Sequence, residues 1–338
     1  MSASSFGSRF VVTTFGESHG TALGVVIDGC PANVRFKEDL LKKQLERRRP
    51  GGDLVSQRKE DDTPEILSGV FEGKTLGTPI AMILRNKDQK SSDYDQIKNN
   101  PRAGHADDVW QTKFGHRDHR GGGRSSGRET VCRVLAGSVA QMFCQQALPQ
   151  MQLKAFSFQI GNFALTKNEV AQVWNQDVDQ FSARFPSAQH EKVRDMLKEA
   201  QVKGESYGGV AEVRIKGAPA GLGQPVFHKL KSDLAQAFMS VGAVAGVELG
   251  AGSEAPSVKG TEFHSQSYSE NYGGIRGGIS TGEEIILRVN FKPTSSILDV
   301  AKKGRHDPCI VTRAIPVLEA MTWLVLADHL IWQRGDRV

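Results

Sequence analysis

The stretch AIPVLEAMTWLVLADHLIW, residues 314–332, is the most apolar in the chain. Whether it lies in a membrane or in a protein interior decides what fold surrounds it. A membrane span needs about 20 apolar residues with few or no charges. This one carries Glu319, Asp328 and His329, so it reads as a helix buried in a soluble protein. Outward from it, Thr130–Gln146 repeats the helical pattern with Val131, Val134, Leu135, Val139, Met142 and Phe143, and stops before a proline. Lys37–Arg49 places Leu40, Leu41 and Leu45 on one side and ends at Pro50. Asn168–Phe181, His190–Gln201 and Lys229–Phe238 read as further helices. Short apolar runs predict strands at Phe10–Val12, Leu23–Ile27, Ile80–Leu84, Val210–Ile215 and Ile285–Phe291. Strands and helices do not alternate regularly, which argues against a doubly wound sheet. An α+β architecture, with antiparallel sheets packed on helices, suits the pattern. No tract of linker composition divides residues 1–338, which are expected to form one large domain.

Hydrophobic residues make up 38% of the 338 and charged residues 24%, the balance of a soluble globular protein. A net charge of +5 favours acidic partners and is compatible with an ordinary enzyme. The four cysteines form no CxxC pair, which points to buried thiols in a reducing compartment. The opening MSASSFGSRFVVTTFG lacks the basic and apolar regions of a signal peptide. A cytoplasmic location is expected.

The chemistry concentrates in GHADDVWQTKFGHRDHRGGGRSSGRET, residues 104–130. Ser126 and Glu129 have the spacing of a capping box, and a helix N-terminus flanked by Arg124 and Arg128 suits a phosphate or carboxylate. The P-loop and dinucleotide fingerprints do not fit, and His116-Arg117-Asp118 lacks the companion motifs of a kinase loop. His105 with Asp107, or His116 with Asp118 and His119, could ligate a metal, but neighbouring arginines repel a cation; no metal is expected. His19, in TFGESHGTALG, sits in a turn between two strands and has the titration range of a general acid. FKPTSS, residues 291–296, offers a dense donor set after a strand. GRHDPC, residues 304–309, groups a cation, a base and a carboxylate. Arg47-Arg48-Arg49 ends the first helix, where cations favour the helix dipole and are ordinarily solvated.

Taken in order, TFGESHG, RRRPGG, AGHAD, RGGGRSSGRET, KPTSS and GRHDPC resemble the chorismate synthase family, from about Phe10 to the C-terminal helix. The resemblance implies a sandwich of antiparallel β-sheets around long helices, assembled as a homotetramer. It implies a lyase of the shikimate pathway for aromatic amino acid biosynthesis. Its substrate would be 5-enolpyruvylshikimate 3-phosphate, which loses phosphate and a ring proton by 1,4-elimination. Reduced FMN would be required without net redox change. Carried over by motif, His19 would donate a proton toward the departing phosphate, His105 would serve the flavin near N1, and Asp307 would assist removal of the ring proton. Arg48, Arg102, Arg128 and Arg305 would hold substrate anions, with Arg305 also near flavin. Flavin contacts would come from Arg124, Ser125, Ser126, Gly242, Ala243, Gly277, Lys292, Pro293, Thr294, Ser295 and Ser296.

Departures from the family pattern are Leu54 where an arginine is frequent, a short Ile297–Gly304 connection, and Thr312 in place of a frequent proline. Without an added reductase domain, reduced flavin is expected from an external reductase, with NADPH as the alternative direct reductant. Two rival classes are disfavoured. A nucleic-acid binder would need aromatics among its basic runs, and a flavoprotein oxidoreductase would need a hydride-donor fingerprint.

Overall fold

The structure is a computed structural model that describes residues 2–49, 62–86, 104–120, 122–265, 268–295, 297–298 and 307–336. Strict alternation builds the first sheet. Strands β1 (Ser5–Phe6), β2 (Val11–Phe15), β3 (Ala22–Asp28) and β4 (Glu65–Ile66) are followed by a hairpin of β5 (Val70–Phe71) and β6 (Lys74–Thr75), then β7 (Ile80–Arg85). The sheet order is β1-β2-β3-β7-β4, and every pairing is antiparallel. Leu23, Val25 and Ile27 of β3 and Ile80, Met82 and Leu84 of β7 turn to one face and are buried.

The second sheet contains β8 (Gln152–Ile160), β9 (Phe163–Ala164), β10 (Gly209–Lys216), β11 (Val244–Leu249) and, after the hairpin β12 (Ile275–Arg276) and β13 (Ile279–Ser280), β14 (Ile285–Phe291). Its order is β11-β14-β10-β8-β9, again antiparallel. Between the sheets lie α3 (Thr130–Ala147), which packs on β2 and β3, and the C-terminal helix Val311–Gln333, which packs on β8 and β10. The two helices pack on each other, and α1 (Glu38–Arg48) packs on both. This is the expected sandwich of antiparallel sheets around long helices.

Their crossing is close because Gly137 faces Ala320: a Cβ at 137 would lie 2.4 Å from the Ala320 Cβ. The C-terminal helix is long and apolar enough to cross a membrane, but 94% of its apolar window is buried inside the fold. Each polar residue that marked it in the sequence has an assigned task. Asp328 Oδ1 accepts the backbone amides of Ser8, Arg9 and Phe10, at 2.5–2.9 Å, and ties the N-terminus to the core. His329 Nε2 meets Asp233 Oδ2 at 2.9 Å. Glu319 pairs with Arg47 and accepts the Ala155 amide at 3.2 Å. Pro316 has no amide hydrogen to offer the Thr312 carbonyl one turn back, and the guanidinium of Arg184 donates to that carbonyl instead.

Two sequence readings need correction. Asn168–Phe181 is not one helix; α2 (Asp107–Phe114) and α3 are followed by the short α4 (Lys167–Gln172), then separate 3₁₀ turns at Val173–Asn175 and Val178–Gln180. Strand β8 was not anticipated, because Ala155, Phe156 and Ser157 are consecutively buried and erase the two-residue period. Helices α5 (His190–Lys203) and α6 (Leu230–Met239) keep their predicted places, and α6 packs on the C-terminal helix and β11.

Candidate active site

The β2–β3 turn carries FGESHG. Gly16 takes φ 95°, and a Cβ there would strike the Ala22 carbonyl at 2.3 Å, so the tight turn needs glycine. His19 is buried beside Ser18, with Ser18 Oγ 3.1 Å from His19 Nδ1. The turn docks on the glycine-rich loop: the Ser18 amide donates to the Gly123 carbonyl at 3.4 Å and its hydroxyl to the Arg120 carbonyl at 3.4 Å. Arg124 donates to Thr14 Oγ1 at 2.6 Å and to the Thr14 and Gly16 carbonyls at 3.3 Å. It braces the loop against β2.

The capping box is only half formed. Ser126 Oγ accepts the Arg128 amide at 3.3 Å, whereas Glu129 turns away to pair with Arg133 at 3.0 Å. Ser125 Oγ donates to the Gly122 carbonyl. The reciprocal box belongs to Thr166 and Glu169 of α4.

Arg48 and Arg128, 1% and 8% exposed, converge on one buried carboxylate. Asp62 Oδ1 lies 2.5 Å from Arg128 Nη1, and its Oδ2 lies 3.4 Å from Arg48 Nη1. Arg48 Nε also donates to Thr130 Oγ1 at 3.2 Å and Nη2 to the Gly127 carbonyl at 3.1 Å. The arginine run is therefore not a solvated helix end. Arg48 is built into the site, and Arg47 is held by Asp179 at 2.6 Å and by Glu319. Burial alone would raise the Asp179 carboxyl, but Arg47 and Arg184 hold it below the usual carboxylate range.

A second group gathers where β14 ends. His105 Nδ1 meets Asp107 Oδ1 at 3.0 Å, and Arg117 approaches the same oxygen at 3.5 Å. Asp107 is buried at the start of α2 and orients the imidazole. Among the described residues, no group of three His, Cys, Asp or Glu is placed to hold a metal. Gly104 would put a Cβ 3.2 Å from Ser295, so the GHAD loop lies against KPTSS. Thr294 Oγ1 donates to the Asp307 carbonyl at 3.1 Å, and Arg313 Nη1 reaches Asp307 Oδ2 at 2.8 Å. The Lys292 amide donates to the Ala243 carbonyl at 3.0 Å, which joins the Gly242–Ala243 turn and Pro293 to this group. Arg133 of α3 donates to Ser240 Oγ at 2.6 Å and the Ser240 carbonyl at 3.0 Å, two residues before the Gly242–Ala243 turn.

Gly277 is not brought here. Its hairpin bonds to Leu222 and to the Leu230 amide at the start of α6. Arg102, Ser296, Arg305, Leu54 and most of the 297–304 connection lie outside the described residues. Thr312 lies within them, half-buried in the first turn of the C-terminal helix. Sequence reasoning missed Asp62, Asn86, Thr130 and Arg133. Asp62 and Asn86 sit in the polar runs RKEDDTPE and RNKDQK, which carry no signal of burial or convergence.

A family model described as chorismate synthase matches residues 10–331. A chorismate synthase of Bdellovibrio bacteriovorus is 69% identical over 342 residues, covering 100% of both chains. One of Methanosarcina mazei is 44% identical over 358 residues, covering 98% of this chain and 97% of its own. A solved crystal structure of a chorismate synthase has a TM-score of 0.77 and 31% identity, covering 97% of this chain and 93% of that one. With its motif order and matches that run nearly end to end, the chain belongs to the chorismate synthase family.

Proposed function

We propose that this chain is a lyase that forms chorismate from 5-enolpyruvylshikimate 3-phosphate, and that the Arg48–Arg128 pair beside the His19 turn is where the substrate anion sits. One observation carries the placement: two buried guanidiniums converge on a single carboxylate, Asp62. Guanidiniums fixed by their own hydrogen bonds grip phosphate or carboxylate without reorganising. His19, docked against the same loop, holds a proton toward the departing phosphate. Asp307, oriented by Arg313, assists removal of the ring proton at the other group. His105, oriented by Asp107, holds a proton toward the flavin near N1.

The implied cofactor is reduced FMN, and the donor set around 292–295 fits it. An exposed Lys292, the Thr294 and Ser295 hydroxyls and a Gly242 with open space at its Cβ position suit a phosphate and a polar ring edge. When bound, reduced FMN supplies electron density to the breaking carbon–oxygen bond. Arg124, Ser125, Ser126, Gly242, Ala243 and Lys292 through Ser296 are the proposed contacts, with Arg305 at its edge; Arg102 and Arg305 complete the substrate set. Gly277 enters the same list by resemblance alone. One hydrophobic core draws on both sheets and the helices between them, which supports reading 1–338 as one catalytic domain. A homotetramer, a cytoplasmic setting and an external flavin reductase complete the proposal, with NADPH as the alternative direct reductant. Arg47, Arg48, Arg120, Arg124 and Arg128 are bonded within the chain, which supports the small-molecule reading over a nucleic-acid one.

The deciding experiment is anaerobic: protein, chemically reduced FMN and 5-enolpyruvylshikimate 3-phosphate, followed for chorismate and phosphate. Equal release of both supports the proposal. Folded protein with no turnover refutes it. NADPH oxidation by protein and FMN alone distinguishes direct reduction from dependence on a reductase.

A further inference from the structure

Strand β7 ends at Arg85, which pairs with Ala22 at the start of β3. That register puts Asn86 opposite the β2–β3 turn, and its backbone amide continues the ladder by donating to the Thr21 carbonyl at 3.1 Å. The side chain then faces two ways. On one side Asn86 Nδ2 reaches the carbonyls of Gly20 at 2.8 Å, Ser18 at 3.3 Å and Glu17 at 3.5 Å. On the other, Asn86 Oδ1 accepts from Arg128 Nη2 at 3.4 Å. Three carbonyls on one edge and a guanidinium on the other leave only one workable orientation of the amide.

We propose that Asn86 is a positioning residue that locks the His19 turn and Arg128 into one frame. The inference rests on the reading of His19 as proton donor and Arg128 as anion binder. A proton donor works only within about 2.6–3.2 Å of its target, and a misplacement of about 1 Å can cost about 100-fold in rate. Here one amide spans both partners: it holds the backbone on both sides of His19, and it accepts from the arginine that would hold the group being protonated. A side chain with donors only or acceptors only cannot serve both edges. Glutamine has the right groups, but its extra methylene displaces them.

Asn86→Asp separates the two functions. A carboxylate keeps, and strengthens, the contact with Arg128, but it has no hydrogen to give the Glu17, Ser18 and Gly20 carbonyls and repels them. The expected result is a fall in kcat of about 10- to 100-fold with KM within about threefold, and a changed pH profile of kcat. Hydrogen exchange should quicken at the amides of residues 16–21 and not in α3. Asn86→Ala, which loses both edges, should lower kcat and raise KM together. Asn86→Ser is the fallback if the aspartate variant does not fold; its hydroxyl can serve only one edge at a time, and quickened exchange at 16–21 is again expected. Raised KM with unchanged kcat in Asn86→Asp, or unchanged exchange in the turn for any folded variant, overturns the proposal. If His19→Ala retains full activity while the turn still loosens in Asn86→Asp, the assignment of His19 fails and the clamp stands.

Discussion

Gly137→Ala sets two effects against each other, and their magnitudes decide the sign. In a helix interior, alanine is favoured over glycine by about 0.8–1.0 kcal/mol. Against this, the new Cβ would lie 2.4 Å from the Ala320 Cβ, 2.5 Å from its Cα and 2.7 Å from its carbonyl oxygen. Carbon pairs prefer about 3.5–4.0 Å. None of the three opposing atoms can rotate aside, so α3 and the C-terminal helix must separate by about 1 Å. Overpacking of this kind costs about 1–3 kcal/mol, and a crossing at the centre of the sandwich belongs at the upper end. The net expectation is a loss of about 1–2 kcal/mol. With an unfolding entropy of about 2.1 cal/mol/K per residue, the 338-residue chain changes by about 0.7 kcal/mol/K, so Tm should fall by about 1.5–3 °C. The urea midpoint should fall with m unchanged. A variant as stable as the parent, or more stable, would show that helix propensity wins and that the crossing is looser than its geometry states.

His19→Ala, His105→Ala and Asp307→Ala should each lower turnover by about 10²–10⁴-fold in the anaerobic assay, and a loss under about tenfold removes that residue from the catalytic set. Asp62→Ala leaves Arg48 and Arg128 without their shared carboxylate; a loss of about 3 kcal/mol, read from denaturant unfolding, is expected, partly restored by inorganic phosphate. Because Asp179 has a depressed folded-state pKa, its stabilisation is complete above the ordinary value of about 3.9 and is lost as pH falls below it. Asp179→Asn should therefore flatten the acid limb of Tm against pH; an unchanged limb refutes the Arg47–Asp179–Arg184 cluster. Burial raises the thiols of Cys30, Cys132 and Cys309 to about 12, and that of Cys144 well above its usual value. All four cysteines should resist a thiol reagent at pH 8 and react on unfolding, and rapid reaction of the native protein would contradict their burial.

Local patterns carried much of this protein into view. Two-residue alternation marks β3, β7 and β14, and the helical period marks α1, α3 and the C-terminal helix, because each is written in consecutive residues. The motifs were legible for the same reason: FGESHG and RGGGRSS keep their turn glycines, imidazole and cations within a few positions. What consecutive residues do not record is which segments face each other. Arg128 finds Asp62 66 positions away and Asn86 42 positions away, partners that only packing of the first sheet beside α3 brings within hydrogen-bond distance. The same packing turned Arg48 from an apparent solvated cation into a buried one, and left Glu129 with Arg133 instead of closing the capping box. Strand β8 shows no two-residue signal because Ala155, Phe156 and Ser157 are buried in succession, which removes the alternation that exposure to water imposes. Sequence alone determined the elements and the chemical vocabulary; tertiary structure decided burial and pairing, because those depend on distances between segments that no local period encodes.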